Sequence, residues 1–86
     1  MHVMAISTVT DRDGFWASMK TAYGQLPAGA KWLLAVASSD GTRAVNILVH
    51  DSVESVRQLF DEHASGFGAT ECFEADAANA VGLGTK

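Results

Sequence analysis

The sequence predicts an α+β domain with a four-stranded antiparallel sheet and two helices on one of its faces. Three observations carry this. Three segments are apolar on both strand faces: His2–Thr8, Lys31–Ala37 and Ala44–His50. Two stretches place apolar residues at helical spacing, Phe15-Met19-Ala22-Tyr23-Leu26 and Val53-Val56-Phe60-Ala64. An Asp40-Gly41 pair separates two of the apolar segments, a strong short-range hairpin signal. Two helices can cover only one face of such a sheet. The other face needs a partner, most simply a second copy of the chain.

The first strand spans about Val3 to Val9. Thr10-Asp11-Arg12-Asp13 then supplies helix N-cap residues and early negative charge, so helix one runs from about Asp11 to Gln25. Pro27 and Gly29 stop it. Strand two covers about Lys31 to Ser38 and strand three about Arg43 to His50. With Asp40-Gly41 as a two-residue type I′ turn, Ala35 faces Asn46, Leu33 faces Leu48 and Lys31 faces His50. One face then carries Trp32, Leu34, Val36, Val45, Ile47 and Val49, and is expected to lie under the helices. The other carries Lys31, Leu33, Ala35, Ala37, Ala44, Asn46, Leu48 and His50, and is expected to meet the second subunit. Asp51 and Glu54 form a capping-box pattern for helix two, which Gly66 and Gly68 end. Strand four covers about Thr70 to Ala75. Residues 76–86 form a tail in which Val81 and Leu83 could pack back on the sheet edge. The order β-α-β-β-α-β is that of a ferredoxin-like fold, one domain over residues 1–86.

Charge excludes some partners. Residues 1–43 hold four Lys/Arg and three Asp/Glu, whereas residues 44–86 hold two and seven. A net charge of −4 without a basic patch argues against nucleic acid and against an anionic membrane surface. No apolar run approaches the roughly 20 residues of a membrane span. The single cysteine, Cys72, cannot form an intrachain disulfide, and no leader pattern is visible, so a cytoplasmic protein is expected.

The element order, together with Met1-His-Val-Met-Ala-Ile-Ser-Thr8, Phe15-Trp16, Asp40-Gly-Thr-Arg-Ala-Val45 and Phe73–Leu83, resembles the dimeric α/β-barrel superfamily. The resemblance covers residues 2–76 as an arrangement, and the tail segment adds a local likeness. Members include antibiotic-biosynthesis monooxygenases, haem-degrading enzymes, polyketide cyclases, muconolactone isomerase-like proteins and small nickel-binding proteins. It implies a homodimer whose two sheets pack into a barrel. The apolar sheet with few polar groups suits a protein that binds or transforms an apolar, aromatic or polyketide-like small molecule, monooxygenase- or cyclase-like in character. Haem-degrading members use an asparagine on strand one with a tryptophan and a histidine on helix two. Here strand one has no asparagine, Leu59 stands at the tryptophan position, and His63 lacks the matching spacing, so haem chemistry is not expected. Cofactor-free monooxygenases of the superfamily use an Asn/Trp/Tyr-type pocket, and Trp16, Tyr23 and Asn46 supply those residue types.

The candidate ligand-binding residues are therefore Trp16, Tyr23, Asn46, His50 and Phe60. His50 could act as a general base or ligand contact, since histidine titrates near neutral pH, or could simply end its strand. Asn46, mid-strand among apolar residues, needs partners that a ligand, a water or the second subunit could supply. Trp16, Tyr23 and Phe60 could equally be plain core. No cofactor is expected. As an alternative, His2, His50 and His63 could hold a metal such as nickel in a non-enzymatic dimerisation module, although their spacing does not suggest convergence. Glu71, Glu74 and Asp76 read as edge-strand charge rather than paired acid and base. Cys72 has no basic neighbour to activate it. Ser7 and Thr8 lack a nucleophile elbow, and the late glycines lack a phosphate-loop context.

Overall fold

A computed structural model describes residues 1–82. The elements are β1 (His2–Val9), α1 (Arg12–Gly24), β2 (Lys31–Ala37), β3 (Arg43–Val49), α2 (Val53–Ala64), β4 (Gly68–Glu74) and a short 3₁₀ turn at Ala77–Asn79. All strand pairs are antiparallel, in the order β2-β3-β1-β4, consistent with a ferredoxin-like arrangement. The expected tail packing of Val81 is not seen, because its side chain is fully exposed. Leu83 lies outside the described residues.

Local chemistry starts both helices. The Asp11 carboxylate caps α1 by accepting the Gly14 N–H at 3.1 Å. For α2 the cap is Ser52 rather than Asp51: its hydroxyl accepts the Ser55 N–H at 3.0 Å. A serine hydroxyl one residue further on does the capping work expected of the aspartate. Phe15, Met19 and Ala22 from α1 and Val56, Phe60 and Ala64 from α2 are buried together with Val3, Ala5, Val9, Ala44, Leu48 and Cys72. Both helices therefore cover the same sheet face.

That face is the opposite of the expected one. Leu48, Asn46 and Ala44 point under the helices, and Leu34, Val36, Val45, Ile47 and Val49 lie on the open side. The reason is size. Ala5, Ser7 and Ala44 are small, which lets the helices come close and lets Phe15, Met19 and Phe60 supply the bulk. The larger aliphatics are left for the open face. Two rows cross it, Leu34-Ile47-Met4-Phe73 and Val36-Val45-Ile6-Glu71. Leu34, Val36 and Phe73 are 45%, 49% and 47% exposed.

The hairpin register holds at Ala35 opposite Asn46 and Ala37 opposite Ala44, but the turn differs. It is a four-residue loop, Ser39–Thr42. Ser38 N–H donates to the Arg43 carbonyl at 2.9 Å and Gly41 N–H donates to the Ser38 carbonyl at 3.0 Å. Only Gly41 takes a positive φ, +77°. A four-residue loop closing on the same residue pairs preserves the register that a two-residue loop would impose. Asp40 Oδ1 accepts from Thr42 N–H at 3.0 Å, from Ser38 Oγ at 2.7 Å and from Thr42 Oγ1 at 2.8 Å. These bonds, the Thr42 amide foremost, hold the Asp40 carboxyl down to about 2 from the ordinary 3.8. A carboxyl lowered in the folded state stabilises the fold above its unfolded value. That contribution is lost as pH falls from 3.8 to about 2. Melting curves across that range are expected to drop more steeply in the parent chain than in Asp40→Asn.

A bulge at Leu33 breaks the pairing between Trp32 and Leu34. Without it Leu33 would oppose Leu48. With it Trp32 takes that place and Lys31 moves opposite Val49 rather than His50. A bulge re-aims the side chains on one side of it. Here it turns the Trp32 indole towards the helices.

Candidate functional site

The re-aimed indole organises the site. Trp32 Nε1–H donates to Asn46 Oδ1 at 3.0 Å. Its ring lies 5.9 Å from that of Phe60 at an interplanar angle of 50°, and 6.2 Å from that of Tyr23 at 57°. These tilted contacts lie within the range favoured by aromatic pairs. Trp32 thus links α1, α2 and β3.

Between α1 and the edge strand β2 runs an open groove of about 320 Å³. Trp16, Met19, Lys20 and Tyr23 line it from the helix, and Trp32, Leu33, Leu34 and Ala35 from the strand. It exists because the helices do not extend over β2: Ala35 and Ala37 share the Asn46 side of the sheet yet remain exposed. Trp16, Tyr23 and Lys20 fall at positions 16, 20 and 23, one side of α1. Trp16 is held from behind by Phe15, with ring centroids 5.3 Å apart and nearly perpendicular planes.

Of the sequence-derived candidates, Trp16 and Tyr23 line the groove. Phe60 does not line it; buried on α2, it supports Trp32 from within the core. Asn46 is fully buried, with Oδ1 bound to Trp32 and Nδ2 lacking a hydrogen-bond partner among the described residues. It is paired with Ala35, a groove residue. A buried amide donor left unpaired carries a desolvation cost of about 1–3 kcal/mol.

His50 lies elsewhere. Its Nδ1 accepts the Asp51 N–H at 2.8 Å and lies 3.0 Å from the Asp51 carboxylate. The Asp51 carboxyl is lowered, first by the Ser55 hydroxyl and further by the neighbouring His50. His50 and His63 border a second, polar groove with Gln25, Ser55 and Glu62. His2 borders a different one near Glu74 and Asp76. Among the described residues no group of three His, Cys, Asp or Glu side chains is placed to hold a metal ion. Cys72 is buried, and burial pushes its thiol up, away from thiolate chemistry. The Ser7 hydroxyl is buried and spent on Thr70 Oγ1 at 2.7 Å.

Sequence reasoning did not single out Trp32, Met19, Lys20, Leu33, Leu34 or Ala35 for the groove. Met19 and Lys20 were accessible from the spacing that gave Trp16 and Tyr23. Trp32 was not, since its aim depends on the bulge. No helix of the described residues is long and apolar enough to cross a membrane. Comparison with protein-family models, curated proteins and solved structures gives no match.

Proposed function

We propose that the chain binds an apolar, aromatic small molecule in the groove between α1 and β2, as a homodimer joined through its open sheet face. One observation carries the ligand: both tryptophans and the single tyrosine of the chain line this one groove. Aromatic walls with few polar groups suit a flat apolar ligand, and about 320 Å³ is enough for a bicyclic ring system. Polyketide-like aromatics fall in this class, as do substrates of the monooxygenases and cyclases that the sequence resembles. The lining residues include no carboxylate or histidine that could act as a general base. The aromatic lining therefore supports holding and shielding a ligand, with Lys20 and Tyr23 as the polar groups that could meet it.

The dimer is supported by the open face. Its two cross-sheet rows carry seven apolar side chains, and three of them, Leu34, Val36 and Phe73, are about half exposed, the kind of contiguous apolar surface that marks an association site. Two such faces packed together would form the barrel of the superfamily the sequence resembles.

Trp16 and Trp32 provide the readout. Titration with naphthalenemethanol is expected to change tryptophan fluorescence saturably, with the response weakened at least several-fold in Tyr23→Ala. A linear, unsaturated response would remove the groove as a binding site. Sedimentation showing a stable monomer at micromolar concentration would remove the dimer.

A further inference from the structure

We infer that the groove's ligand is a small aromatic carboxylate whose charged end meets Lys20; this rests on the aromatic-groove reading above. Among the described residues, Lys20 is the only charged one lining the groove. It lies four residues after Trp16 and three before Tyr23 on α1, so its ammonium belongs to the aromatic side of the helix. The ion pairs among the described residues are Arg12–Asp13 and Arg57–Glu54, with histidine–carboxylate contacts at His50–Asp51 and His63–Glu62, and Lys20 is in none of them. The chain has ten carboxylate side chains, yet none lines this groove. The ammonium is thus a positive pole with no ion-pair partner among the described residues, on the lip of an apolar surface.

The rest of the lining narrows the ligand further. The Trp32 indole N–H is already committed to Asn46, and the other polar side chain is the Tyr23 phenol. A ligand with a flat apolar body and one acidic group would satisfy both parts of the groove. Its ring would lie against Trp16, Tyr23 and Trp32, and its carboxylate would accept from Lys20 Nζ. A charge-assisted hydrogen bond beside an apolar wall is stronger than one in bulk water. A cationic ligand would meet repulsion at the same point.

The test uses naphthoate and its neutral analogue naphthalenemethanol, titrated against the parent chain, Lys20→Met and Lys20→Arg, with tryptophan fluorescence as readout. Naphthoate is expected to bind the parent about fivefold tighter than the alcohol at low ionic strength, the upper end of what one exposed ion pair gives. High salt should shrink that ratio. In Lys20→Met the two probes should bind alike, and Lys20→Arg should restore the preference. Saturable binding of the alcohol with no gain for naphthoate overturns the inference and leaves the aromatic groove standing. So does a preference that survives in Lys20→Met. Binding of neither probe overturns both.

Discussion

Leu48→Asp is expected to unfold the chain. Leu48 is fully buried, flanked in the sheet by Val3 on β1 and Trp32 on β2, under the helix layer. A carboxylate there is closed off from solvent, and no Lys or Arg is among the buried described residues. Leaving a charge buried and unpaired costs about 3–5 kcal/mol or more. Small domains hold only roughly 0.05–0.15 kcal/mol per residue in total. Circular dichroism of the variant should show no cooperative melt. The open face gives the opposite result. In Val36→Asp/Phe73→Asp both new carboxylates sit at half-exposed positions on the two flanks of the sheet. The double variant should still melt cooperatively, below the dimeric parent because the partner's stabilisation is lost, and sediment as a monomer. A folded Leu48→Asp, or a double variant that unfolds, would reverse the assignment of faces.

The contrast marks how far the residues could be read. Element order followed from helical spacing around Phe15 and Phe60 and from breakers at Pro27 and Gly66. The pairing of Ala35 with Asn46 followed from where Asp40-Gly41 falls, even though the loop is longer than expected. The choice of inner face did not follow, because both candidate sets are apolar and hydrophobicity alone ranks the wrong one first. Size was the usable signal: Ala44 pairs with Ser7, and Asn46 with Ala5, so this side has room for two helices packed closely. The site was half legible for a related reason. Trp16 and Tyr23 share one side of α1 by spacing alone, whereas Trp32 reaches the same groove only through the bulge at Leu33. Nothing in an edge strand's sequence announces a bulge of that kind. His50 was drawn in by residue type and by its place after β3, and the chain path carries it to the groove it shares with His63.

Phe60→Ala is expected to damage both stability and binding. The ring is 2% exposed, sits on the buried stripe of α2 and backs Trp32 at 5.9 Å. Truncating a buried phenylalanine costs about 3–5 kcal/mol through lost transfer energy and the cavity left behind. For a domain of this size that lowers the melting temperature by about 15 °C or more. The second effect separates packing from site geometry. Trp32 is fixed by three contacts, Asn46, Tyr23 and Phe60, and losing the last leaves its ring free to drop into the vacated space. Naphthalenemethanol affinity should then fall even at temperatures where the variant is fully folded. Phe60→Leu keeps most of the volume but removes the ring, so it should recover the larger part of the stability and only part of the affinity. A Phe60→Ala chain that melts within about 1 kcal/mol of the parent would mean that α2 does not close the core over Trp32. One that loses stability but binds the probe as the parent does would mean that the indole is positioned by Asn46 and Tyr23 alone.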